Sequence, residues 1–193
     1  MADIPPAMNP TFALRVSRFA PAFVLGALLL LGSSAVASAQ DKVEIKDHPY
    51  FKKALGEWSS EGERKYTDGR VVKIKQEWKT EVLGANTLNM EGNSERDGQG
   101  TTHYKWTITL MDTGLIEAVY QRDVSKPDTQ RYEVQQTEEG VKIELTALLD
   151  NNSKVVTVDT FKDNDTIEST VTRTDSTGAT IYTGTAVAKR KKT

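Results

Sequence analysis

The chain has 193 residues, enough for one substantial domain and short for two. With 27 acidic against 25 basic residues and a formal charge of −2, it has no bulk charge that would call for nucleic acid. It contains no cysteine, which excludes disulfides, thiol catalysis and thiolate metal sites.

The first 39 residues read as a secretory signal peptide. Arg15 and Arg18 supply a positive flank, Phe19 to Leu31 is almost unbroken apolar chain, and Ala37-Ser38-Ala39 gives the small-residue pattern of a cleavage site after Ala39. The apolar run is shorter than the roughly 20 residues of a membrane-spanning helix, so no span is expected once the leader is removed. The protein is therefore expected to be exported, to the periplasm or the medium, as a monomer or weak dimer. Residues 40–54 are expected to form a loose polar lead-in followed by a short helix, with Asp47 as N-cap, Pro49 in the first turn and Ala54 at the end.

From Leu55 onward the pattern has a period of two. Val72, Ile74, Trp78 and Val82 share one face with Gln76 and Thr80, while Lys73, Lys75, Glu77, Lys79 and Glu81 take the other. Only a pleated strand with one wet face and one packed face gives that alternation. Tyr104, Trp106, Ile108 and Leu110 repeat it, as do Val141, Ile143, Leu145 and Ala147. Turn signals such as Asp68-Gly69, Asp97-Gly98, Lys126-Pro127-Asp128, Glu139-Gly140 and Asp163-Asn164-Asp165 divide the chain into ten strands. These are predicted over 55–66, 70–82, 87–96, 102–111, 115–123, 129–137, 141–149, 154–162, 166–174 and 179–189. Short connections make successive strands antiparallel neighbours, and closure removes both exposed edges. The predicted fold is all-β: a ten-stranded antiparallel up-and-down barrel over 55–190, one end closed by the short helix, with 191–193 as a basic tail. A two-sheet sandwich is the competing architecture.

The opening Leu55, Gly56, Trp58, Ser60 and Gly62, with ten regular strands behind it, resembles the lipocalin-like or calycin group. The resemblance is nearest to its nitrobindin-like branch and related domains of unknown function, which begin Leu-Gly-x-Trp-x-Gly-x-Gly; Ser60 replaces one glycine. It covers about residues 48–190 and implies a ten-stranded barrel. In the haem-binding members a histidine near the closing strand ligates iron, but Tyr182 to Arg190 contains none. The chain's two histidines are His48, before the helix, and His103, on an outward phase, so haem is disfavoured and no cofactor is expected.

Within that frame Gly56, Trp58 and Gly62 are structural: the ring fills the closed end and the glycines let the first strand bend. The phase of the odd-numbered strands, which all run one way, puts Arg64, Arg96, Arg122 and Arg173 inward at the opposite end, with Tyr104 and Tyr120 nearby. Guanidinium forks suit a carboxylate or phosphate. These six residues are the candidate ligand-binding set, for a small hydrophobic or amphipathic anion such as a fatty acid. No catalytic constellation and no metal cluster is found, and no Gly-x-Ser-x-Gly elbow occurs. The expected function is thus a carrier or binding barrel. The alternative is a structural or partner-binding envelope protein whose barrel is filled by its own side chains.

Overall fold

The computed structural model describes residues 44–123 and 128–192; the leader, its cleavage site, residues 40–43, the Lys126-Pro127 turn and Thr193 lie outside them. Ten strands follow one short helix: α1 Pro49–Ala54, β1 Gly56–Tyr66, β2 Val71–Gly84, β3 Thr87–Arg96, β4 Gly100–Leu110, β5 Ile116–Arg122, β6 Asp128–Glu138, β7 Lys142–Leu148, β8 Lys154–Asp163, β9 Thr166–Thr174 and β10 Thr180–Arg190. Each strand is antiparallel to its neighbours in sequence, and β1 also pairs with β10, so the sheet closes on itself. The fold is an up-and-down meander barrel rather than a sandwich. Closure satisfies every strand edge, and ten strands enclose more interior than side chains of eight would just fill.

The alternating inward residues of β2, Val72, Ile74, Gln76 and Trp78, are half-buried rather than packed solid, and the last three border an interior space. Two expectations at strand ends are corrected. Val82 is 40% exposed, at a register shift between Val82 and Gly84 that ends the regular inward phase. Val141 lies in the turn after Gly140, and β7 starts at Lys142.

The entry segment also departs from expectation. Asp47 is not the helix cap: it ends a separate single turn, Ile45–Asp47, and His48 caps α1 without a side-chain hydrogen bond. The reason is Pro49, whose ring drives the preceding residue out of helical geometry; His48 sits at φ −59° and ψ 125°. Nor is the lead-in loose from Ile45 onward. Ile45 is fully buried, and its N–H donates to the Ala85 carbonyl at 2.9 Å.

Helix α1 crosses the closed end. Tyr50, Phe51 and Ala54 are buried there against Trp58 and Phe161, in the same apolar cluster as Leu88 and Ala188. Lys53 Nζ donates to the Gly140 carbonyl at 2.8 Å, tying the helix to the β6–β7 turn.

Candidate functional site

The floor of the barrel is built on Trp58. Its ring is fully buried, stacks near Trp78 (centroids 6.4 Å apart) and meets Phe161 edge-on at 6.0 Å. Its Nε1 donates to the Ala54 carbonyl at 3.0 Å, so the indole also ends the helix. Gly56 enters β1 at φ +104°, which a side chain rarely adopts. At Gly62 the backbones of β1 and β10 approach so closely that a Cβ would lie 2.6 Å from that of Ala186.

Arg190 completes the floor, and nothing in the local sequence of the basic C-terminus marks it out. Its guanidinium lies 4.3 Å from the Trp58 ring centroid. Its nitrogens donate to the carbonyls of Lys53, Leu55 and Asn164 and to the Asp165 carboxylate at 3.0 Å. Arg190 thus clamps helix, β1 and the β8–β9 turn, and Lys191 pairs with Glu77 at 2.9 Å.

Above this floor lies a cavity of about 490 Å³, within the range of small-molecule sites. One wall, from β4 to β6, is aromatic: Trp106 contacts Tyr120 and Tyr132 at 4.8 and 4.9 Å between centroids, and Tyr104 lies 6.1 Å from Tyr120. The other wall, on β9, β10 and β1, carries small side chains such as Ser169, Ala186 and Ser60. Tyr104 is buried, and burial first and Tyr120 second raise its hydroxyl well above the ordinary tyrosine range.

Arg64, Arg96, Arg122 and Arg173 all border this cavity at the end away from α1, where β1, β3, β5 and β9 finish. None is ion-paired with a carboxylate among the described residues. Asp128 stands opposite Arg122 in register, and its side chain is not among those described. Arg64 lies over the Tyr182 ring at 5.0 Å, and Arg173 donates to Ser153 Oγ at 3.1 Å. The Nε groups of Arg122 and Arg173 are buried without a hydrogen-bond partner. Burial, and then the neighbouring charges of Arg64 and Arg122, lower the hold of Arg96 on its proton. A guanidinium stays charged regardless, so the end of the cavity carries positive charge held at a cost that an incoming anion would relieve.

Sequence phase thus brings all six candidate residues to one cavity, but it missed Asp159. This carboxyl borders the cavity from the middle of β8, paired in register with Ile143 and Ser169. Burial raises its pKa above the ordinary aspartate range, opposed by a hydrogen bond from the Ser169 hydroxyl. The two histidines border no part of the cavity. His103 sits on the outer face between Glu91 and Asp123, 3.0 Å from each, and His48 packs on Phe51 at 4.9 Å.

No family model and no curated protein matches this chain. Solved structures do. An S-type phycobiliprotein lyase from Guillardia theta superposes with a TM-score of 0.56 at 13% identity, covering 79% of this chain and 95% of its own. Rv2717c from M. tuberculosis gives 0.54 at 15% identity, over 74% and 95%. At such identities the likeness concerns the backbone alone, and what it supports is the fold, a closed ten-stranded antiparallel barrel.

Proposed function

We propose that this protein is a carrier or binding barrel for a small amphipathic anion, with the apolar body of the ligand on the aromatic wall and its acid among the arginines. The observation that supports this most directly is the gathering of four arginines, none ion-paired with a described carboxylate, at one end of a 490 Å³ cavity. Burying charge in that way costs stability unless a partner arrives. A barrel serving only as scaffold would gain by filling the same space with apolar side chains.

The Leu55-Gly56-x-Trp58 opening favours the nitrobindin-like branch of the calycins, and the leader through Ala39 favours an exported location in the periplasm or medium. Haem is not part of the reading. The residues that would hold it through imidazole lie outside the cavity, His103 on the outer face and His48 beside the helix.

The test is uptake of a fluorescent fatty acid by wild type, Arg96→Ala and Arg122→Ala. A hydrogen bond to a charged group contributes about 1.5–3 kcal/mol, so each variant should bind roughly ten- to a hundredfold more weakly. Unchanged uptake in both variants, or none by the wild type, would overturn the proposal.

A further inference from the structure

Asp159 has no part in holding an anion, and the fold has no evident need of it. It stands one inward position above Phe161 on β8, and its partner Ser169 stands one above Ile167 on β9. That is the layer just over the apolar floor. A carboxyl there is expensive to bury, and an apolar residue of similar size would continue the packing below it. The arginines do not offset that cost, because they lie elsewhere. Four positions separate Asp159 from Val155, the residue opposite Arg173, or about 13 Å along the strand. Ser169 occupies one hydrogen-bonding position of a group that can serve several. The buried Tyr50 is close enough that, after burial itself, Asp159 helps keep its hydroxyl protonated.

Among the polar side chains that line the cavity, two stations therefore stand out, the arginines at one end and a carboxyl–hydroxyl pair near the other, with the aromatic wall and neutral groups such as Thr157 between them. We propose that the ligand is correspondingly bipolar: an amphipathic acid whose far end carries an uncharged hydrogen-bonding group, a hydroxyl or carbonyl, received by Asp159 and Ser169. This inference rests on the anion-binding reading above and adds the second point of recognition.

Calorimetric titration of the purified protein with laurate and with ω-hydroxylaurate tests it. Wild type should bind the hydroxy acid roughly three- to tenfold more tightly, the yield of one hydrogen bond in a shielded site. Asp159→Leu should bind laurate at least as well and reverse the preference, since the hydroxyl would then be buried without a partner. Asp159→Asn should keep the preference, because an amide still donates and accepts. Arg96→Ala should weaken both acids in equal proportion, and thermal melts of each variant confirm that it is folded.

Equal affinities in wild type, or a preference that survives in Asp159→Leu, would overturn the bipolar ligand. If Arg96→Ala still weakened laurate in that case, the anion-binding reading would stand without it. Failure of wild type to bind either acid would overturn both.

Discussion

Removing the Arg190 side chain should be among the most damaging single changes in the molecule. The guanidinium serves three segments at once: the end of α1 through the carbonyls of Lys53 and Leu55, the β8–β9 turn through Asn164 and Asp165, and the face of Trp58. Its side chain is 27% exposed, so the Asp165 pair at the surface contributes little. The hydrogen bonds to the two helix-end carbonyls count for more, because truncation leaves those acceptors unpaired in a site too enclosed for full hydration. Taking about 1 kcal/mol for each of the two, and about 1 kcal/mol for the cation over the indole, Arg190→Ala should cost roughly 3 kcal/mol. For a domain of this size that lowers Tm by about 6–12 °C. Urea unfolding followed by tryptophan emission measures the free energy, and calorimetry the Tm. Arg190→Lys should recover less than half of the loss, because an ammonium cannot reach several acceptors as a planar fork does. A loss under about 1 kcal/mol, or full rescue by lysine, would refute the view of this residue as a clamp.

Three further outcomes follow from the geometry. Gly62→Val should destabilise by about 2–3 kcal/mol in denaturant unfolding, since even a Cβ there collides with Ala186 and the Thr185 carbonyl. For Asp159→Asn the sign depends on pH. The folded-state pKa of Asp159 is raised above its ordinary value of 3.8, so wild type is stabilised by its proton below that value and loses the contribution as pH rises through the folded-state pKa. The variant should accordingly match wild type in acid and become the more stable of the two toward neutral pH, as read from melts across the range. Ligand uptake should change tryptophan emission through Trp78 and Trp106, which border the cavity, and not through Trp58 beneath it. Trp106→Phe should therefore diminish the signal and Trp58→Phe preserve it.

The alternation of Lys73 to Glu81 against Val72 to Trp78 is a local property, and so the strands and the phase of the four arginines could be read from the chain alone. What escaped was set by distance or by competing cues. Arg190 belongs to a run of four basic residues, and only the fold brings it against Leu55, 135 positions away. On β8 the apolar Val156 and Val158 point outward while Thr157 and Asp159 border the cavity, so apolar content misreports which face is inside. Asp47 has the chemistry of a cap, but Pro49 determined where the helix could start. Ile45 gave no periodic signal because it is a single anchor rather than part of a repeat.

The pairing of β1 with β10 has a kinetic side. The other nine ladders join strands adjacent in sequence and can form by local hairpin closure, whereas this one must bring together Trp58 and Arg190 from near the two ends of the described chain. The chain entropy of that closure is roughly 4 kcal/mol, and it is offset only when floor and ladder assemble together. The seam should thus be the slow step of folding, as expected where contacts are remote in sequence. A chain lacking β10 would form hairpins quickly and then persist as an open sheet, with β1 and β9 as unpaired edges ready to recruit another copy.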